Sequence, residues 1–293
     1  MADLRLSIAD FTIDIVNHSA YSVSLEGGYV PFLTQDYSEP ASVVVNAHTG
    51  IPTSLKTENK PIYTADFEGN RLWQIAKVGS TLVFHVFNPE APFELQQGAE
   101  LNEEMNVWNV YSIVQEKDGT ESLFPLLYPM GPLVMYYLTV KYDAVMIHGS
   151  GISDKGLGRI FTGVSGQGKT TTAKLWFESG ADVINDDRII IRKQNGVYHM
   201  YNTPMFYEDK PRSAKLAGIY SIYHLDKNLL ETLSGVESVS AVMPNLIQHG
   251  YASSIIAHHL GFINEMVKNV TVYKLGFLPT SAVVQTVKAH KGE

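Results

Sequence analysis

The chain has no cysteine among its 293 residues. That excludes disulfides, thiolate zinc sites and a cysteine nucleophile, and a cytoplasmic protein is the simplest expectation. There is no excess of positive charge either: 22 Lys and Arg stand against 30 Asp and Glu, a net charge of −8. No basic arm or stripe interrupts that balance, so no nucleic-acid partner is expected. The N-terminal residues Met1-Ala2-Asp3-Leu4-Arg5 lack the basic-then-apolar pattern of a signal peptide. The stretch from Ser122 to Val140 has no charged residue and is long enough to suggest a membrane span, but Pro125, Pro129, Gly131 and Pro132 break its first half. What remains, Leu133 to Val140, has the length of a buried core helix, and no membrane partner is expected.

What is present describes a folded globule: 45% apolar and 18% charged residues, with no internal repeat and no low-complexity tract. The first part reads as β-rich. Phe11 to Val16, Val43 to Val45, Leu72 to Ile75, Leu82 to Phe87 and Val107 to Tyr111 are short runs of β-branched and aromatic residues. Gly27-Gly28, Gly50-Ile51-Pro52 and Gly69-Asn70 punctuate them, and Lys117-Asp118-Gly119-Thr120 reads as a hairpin turn. The spacing predicts antiparallel sheets in an N-terminal domain of residues 1–125, followed by a second domain of residues 126–293. In the second part strands alternate with helices, which predicts α/β architecture. Asn195-Gly196 is a strong hairpin signal between Arg188 to Arg192 and Val197 to Tyr201. Tyr251 to Val267 reads as a helix and Val270 to Leu275 as a late strand.

Gly163-Val164-Ser165-Gly166-Gln167-Gly168-Lys169-Thr170 fills the template G-x-x-x-x-G-K-[ST] without a mismatch. Backbone amides of such a loop wrap a polyphosphate, the lysine reaches the β/γ-phosphates and the hydroxyl binds Mg²⁺. Glycines let the backbone take positive φ and approach the anion. Ile160-Phe161-Thr162 leads in as a strand, and Thr170 to Glu178 leads out as a helix stopped by Ser179-Gly180. The helix N-terminus would then point its dipole and amides at the phosphates. ATP and Mg²⁺ are the expected ligands, with Gly163, Ser165, Gly166, Gly168, Lys169, Thr170 and Thr171 in the cradle.

Phosphoryl transfer also needs a held metal and a group that orients or deprotonates the acceptor. Asn185-Asp186-Asp187 ends the hydrophobic strand after the loop helix. Neighbouring side chains of an extended segment point to opposite faces, so the two aspartates are not expected to share one job. The alternative is a polar turn between Ile184 and Ile189, paired with Arg188. His148 on its own reads as a core histidine bonded to backbone, and Lys210, Arg212 and Lys215, after Glu208-Asp209, as a solvated loop or a phosphate clamp. His249, His258 and His259 lack a carboxylate placed to complete a zinc site and read as surface or packing residues; Trp73, Trp108 and Trp176 read as core.

His148-Gly149-Ser150-Gly151-Ile152, the loop Gly163 to Thr171, and Val183-Ile184-Asn185-Asp186-Asp187-Arg188 together resemble the nucleotide core of HPr kinase/phosphorylase-like proteins, which share the phosphoenolpyruvate carboxykinase-like fold. Asn202-Thr203-Pro204 and Arg212 to Leu216 resemble the segment that follows, and the resemblance covers roughly residues 130–280. It implies Lys169 on the β/γ-phosphates, Thr170 on Mg²⁺, Asp186 as the base that takes the acceptor's proton and Asp187 supporting the metal. It also implies His148 beside the transferred phosphate and Arg212 neutralising it. The Glu-Ile-Arg-Gly segment of genuine HPr kinase/phosphorylases does not occur beyond Asp187. HPr as substrate and the reverse phosphorolysis are therefore not expected, nor, in so short a chain, is decarboxylation. The expected activity is a kinase acting on a hydroxyl of a protein, peptide or small molecule. The alternative is a nucleotide-dependent switch with little or no catalysis. The sequence is compatible with a homo-oligomer.

Overall fold

The structure, a computed structural model, describes residues 2–56, 59–117, 119–204 and 210–290. It is mixed α/β with several sheets and divides into two compact units. The first comprises Met1–Lys141, Pro204–Lys210 and His249–Tyr251; the second comprises Tyr142–Thr203, Pro211–Gln248 and Ala252–Glu293.

The strands of the first unit are β1 (Leu4–Ile8), β2 (Phe11–Asn17), β3 (Ser22–Val23), β4 (Val43–Thr49), β5 (Pro61–Phe67) and β6 (Asn70–Val78). They continue with β7 (Thr81–Asn88), β8 (Ala91–Leu101), β9 (Val107–Ser112), β10 (Gln115–Lys117) and β11 (Thr120–Leu123). Its helices are α1 (Thr53–Lys56) and α2 (Met130–Lys141). Eight strands form one sheet in the order β1-β2-β4-β9-β8-β7-β6-β5. The expectation of antiparallel pairing holds for β5 to β9 and for β1 with β2, but β2, β4 and β9 are parallel. The long connections between those three strands leave room for parallel crossovers, which a hairpin would not. The β10–β11 hairpin closes with Lys117 opposite Thr120, while Asp118 of the expected turn lies outside the described residues.

Helix α2 is buried on nearly every side, from Met130 through Thr139 apart from Pro132. Pro132 falls in the first turn, where its missing N–H has no intrahelical role, so the helix starts three residues before the expected Leu133. Tyr137 packs edge-on against Phe84 and Trp108, with centroids 5.3 and 5.8 Å away. Trp108 is fully buried, and His249, also buried, sits 3.9 Å from Tyr136 and 4.7 Å from Trp73, ring to ring. His249 is thus a packing histidine within an aromatic cluster.

The second unit contains β12 (Ala144–His148), β13 (Ser150–Asp154), β14 (Leu157–Thr162), β15 (Asp182–Asn185), β16 (Arg188–Gln194), β17 (Val197–Tyr201), β18 (Ser213–His224), β19 (Leu229–Leu233) and β20 (Thr271–Phe277). Its helices are α3 (Lys169–Glu178), α4 (Gly235–Val242), α5 (Ser253–Met266) and α6 (Ala282–His290). The sheet runs β12-β16-β17-β18-β14-β13-β15, with β20 also beside β18 and β19 beyond it; β14, β18 and β20 are mutually parallel. Asn195 and Gly196 both take positive φ, 49° and 79°, as a two-residue turn between β16 and β17 requires. Alternation along the strands splits the core in two. Ile160, Ile219 and Val272 face α4 and α5, while Phe161, Tyr220 and Tyr273 face α3 and α6. Those three aromatic rings stack across β14, β18 and β20 at 5.0 and 4.9 Å, each pair contributing about 0.5–1.5 kcal/mol beyond its buried area. They lock the strand that carries the glycine loop. Glu208 and Asp209, which precede the basic cluster, lie outside the described residues.

On α5, His259 is buried, and burial, with the nearby His258 adding to it, lowers its pKa from the usual 6.5 to about 4. The folded state therefore resists a proton that the unfolded chain accepts. This stabilisation is complete above about pH 6.5 and is lost as the pH falls from there toward 4. Urea unfolding across that window is expected to show wild type losing stability more steeply than His259→Leu, by up to about one proton per molecule. Parallel pH profiles would place the proton elsewhere.

Candidate nucleotide site

Strand β14 ends at Thr162, the glycine loop follows, and α3 begins at Lys169. Gly166 and Gly168 take φ of 82° and 91°, a region that favours glycine. Space demands glycine as well. A Cβ on Gly168 would lie 2.8 Å from the Phe277 ring, and one on Gly163 would run into Gln167 Oε1 and come within 3.1 Å of the Ile222 carbonyl. Gln167 folds back over the loop, where its Oε1 accepts the Val164 amide at 3.0 Å. His224 Nε2 lies 3.2 Å from the Gly166 carbonyl and its ring stacks on Phe277, bracing the loop from the end of β18. The amides of Lys169, Thr170 and Thr171 are first-turn donors with no acceptor inside their own helix. Ser165, Thr170 and Thr171 are exposed.

Lys169 Nζ donates to the carbonyls of Gly163 and Val164 at 2.9 and 3.2 Å, which holds the ammonium at the mouth of the loop. Burial lowers its pKa, while the charges of Asp186 and Asp187 act in the opposite sense. The loop lysine and both aspartates thus share one electrostatic neighbourhood.

The aspartates arrive there by sheet pairing. β13 lies between β14 and β15, so the loop strand and the aspartate strand flank a common neighbour. Asn185, buried at the end of β15, accepts the amides of Asp187 at 2.9 Å and Arg188 at 3.3 Å, turning the chain into β16. Its Nδ2 donates to the Thr203 carbonyl and hydroxyl, and Thr203 Oγ1 donates to the Arg188 carbonyl at 2.9 Å. The two carboxylates then have different neighbours. Asp186 Oδ1 accepts the Ser150 hydroxyl. Asp187 Oδ1 lies 3.4 Å from His148 Nδ1 and its Oδ2 3.5 Å from Arg188 Nε. His148 closes β12, its carbonyl accepts Thr162 Oγ1 at 2.7 Å, and the Gly149 amide donates to the Asp187 carbonyl at 3.0 Å.

Arg212 is engaged elsewhere. Its Nη1 donates to the Val183 carbonyl at 2.9 Å and lies 4.0 Å from Asp182, toward the start of β15, and its amide donates to Asn202. Ser150, Gln167 and His224 are the neighbours that sequence reasoning did not assign. Ser150 and Gln167 stood inside quoted motifs, but His224 lies on a strand far along the chain, with no local signal.

The arrangement has the chemistry of a polyanion cradle: a loop stripped of side chains, unpaired first-turn amides, one ammonium and a hydroxyl at Thr170. Mg²⁺ bound with phosphates needs only one or two protein oxygens, because it keeps several waters. Among the described residues there is no cluster of three or more His, Asp or Glu side chains able to hold a metal by themselves. No helix among them is long and apolar enough to cross a membrane.

No family model matches this chain, and no curated protein matches it. Among solved structures, the Hpr(Ser) kinase/phosphatase from Coxiella burnetii matches at 12% sequence identity and a TM-score of 0.30, over 50% of this chain and 99% of that one. The functional reading rests on the residues of the site themselves.

Proposed function

We propose that this protein binds ATP with Mg²⁺ and transfers the γ-phosphate to a hydroxyl of a protein, peptide or small-molecule acceptor. One observation carries the reading: a glycine loop at a helix N-terminus holds Lys169 in the electrostatic reach of two aspartates, one of which, Asp186, accepts the Ser150 hydroxyl through Oδ1. Binding alone would need the loop and the metal but no carboxylate poised as a base. In this reading Gly163, Ser165, Gly166, Gly168 and Thr171 cradle the phosphates, Lys169 contacts them and Thr170 holds Mg²⁺. The bound Mg²⁺ would neutralise charge on the phosphates. Asp186 takes the proton of the acceptor hydroxyl, while Asp187 holds His148 beside the site and supports the metal's waters. Arg212 would help to neutralise the transferred phosphate, with its Nη1 on the Val183 carbonyl.

The test is ADP release from ATP with candidate serine peptides and sugars, run beside direct binding. Thr170 gives a further check. Thr170→Val keeps the shape and removes the hydroxyl, so the gain in ATP affinity on adding Mg²⁺ is expected to shrink by up to about ten-fold. Titrations with and without Mg²⁺ on both proteins measure this. An unchanged Mg²⁺ effect would remove Thr170 from the metal site.

A further inference from the structure

Between His148 and Ile152 the chain reads Gly149-Ser150-Gly151, and the structure explains both glycines. A Cβ at Gly149 would come within 2.8 Å of the Phe161 carbonyl. One at Gly151 would lie 2.8 Å from Ile189 Cδ1 and 2.9 Å from Met200 Cε. The glycines let β13 press against its neighbours, and the residue between them is fully buried. Ser150 pairs across the sheet with Phe161, two residues before the glycine loop, and Gly151 pairs with Asn185, the residue before Asp186. The pairing with β15 shifts register between Gly151 and Ile152, so the ladder is irregular beside the aspartate. There the Ser150 hydroxyl donates to Asp186 Oδ1.

We infer that Ser150 is a positioning residue for Asp186: its hydroxyl fixes one carboxylate oxygen so that the other is offered to the acceptor. The inference rests on the phosphotransfer reading above. A buried serine reached by two paired strands is a rigid support, and a hydrogen bond to a charged group is among the stronger kind. A serine donating to a candidate base also has the geometry of a phosphoacceptor. Full burial between two glycines argues for the support, since an acceptor must reach the γ-phosphate.

The experiment is a double-mutant cycle of wild type, Ser150→Ala, Asp186→Asn and the double variant. It is read on MgATP turnover by ADP release with water as acceptor, on MgATP affinity by calorimetry, and on urea unfolding. Ser150→Ala is expected to lower kcat about ten- to a hundred-fold while leaving MgATP affinity within about two-fold. In the Asp186→Asn background it should cost no further rate, because the base it supports is already gone. Ser150→Thr, which keeps a hydroxyl, should recover part of the rate. Multiplicative rate losses, wild-type turnover in Ser150→Ala, or phosphate found on Ser150 by mass spectrometry after incubation with MgATP would overturn the inference. Unfolding separates the two failures. Coupled stabilities in a wild type that turns over ATP neither with water nor with the serine peptides and sugars retire the phosphotransfer reading and leave the serine's hold on Asp186 standing. Turnover with uncoupled stabilities retires the inference alone.

Discussion

Lys169→Ala is expected to weaken MgATP binding roughly ten- to a hundred-fold, the equivalent of losing one charge-assisted contact of about 1.5–3 kcal/mol. The expectation follows from what surrounds the side chain. Its ammonium sits among loop carbonyls, partly withdrawn from water, with two carboxylates acting to keep it charged. A polyphosphate offers that ammonium acceptors bearing full charge, which it would take in exchange for two neutral carbonyls. Losing the lysine also frees the carbonyls of Gly163 and Val164, so part of the loss is expected to come from a looser loop. Lys169→Arg discriminates between these contributions. It keeps the charge but not the compact ammonium that donates to both carbonyls, and should fall between wild type and Lys169→Ala. Calorimetric titration with MgATP on all three proteins is the measurement. Equal affinities for wild type and Lys169→Ala would remove the loop from the nucleotide site altogether.

How far the site could be read from sequence depends on whether each residue acts through neighbours in the chain. The loop could be read because its strand, glycines and helix are contiguous, and the same holds for the Asn195-Gly196 turn. β13 was not read as a strand because Gly149-Ser150-Gly151 has neither periodicity nor propensity. Its extended form is imposed by β14 and β15 on either side and by the close approach of Ile189 and Met200. The same limit hid the parallel pairing of β2, β4 and β9, which depends on crossovers rather than on turns. Helices α4 and α6 and strand β19 went unread too. Val283, Val284 and Val287 on α6 are β-branched residues that favour strands, and here burial against β20 and α3 overrides that preference. Asn185 looked like one more polar residue of a turn, yet its side chain makes that turn and ties it to Thr203. For Arg212, which the resemblance alone had singled out, the structure adds a contact that no local signal announces: its guanidinium donates to the Val183 carbonyl of β15.

Asp186→Asn is expected to separate binding from turnover. The amide keeps the size of the carboxylate, and its oxygen can still accept the Ser150 hydroxyl, so the local packing should survive. It cannot take a proton from an acceptor hydroxyl. If Asp186 is the base, turnover should fall roughly a hundred- to ten-thousand-fold, the contribution usual for general base catalysis. MgATP binding should hold or tighten slightly, because a negative charge in the neighbourhood of Lys169, and hence of the phosphates, is removed. Asp187→Asn serves as the contrast. Its carboxylate lies against His148 and Arg188, so neutralising it should loosen that pair and weaken the Mg²⁺ dependence before it touches the proton transfer. A polar turn without catalysis makes a different forecast: a modest loss of stability for either substitution and no selective loss of rate. ADP release with serine peptides and sugars, measured beside calorimetry on the same preparations, separates these cases. If wild type turns over ATP with none of them and Asp186→Asn binds MgATP as wild type does, the carboxylate has no chemical task. The protein is then better described as a switch in which nucleotide binding itself is the signal.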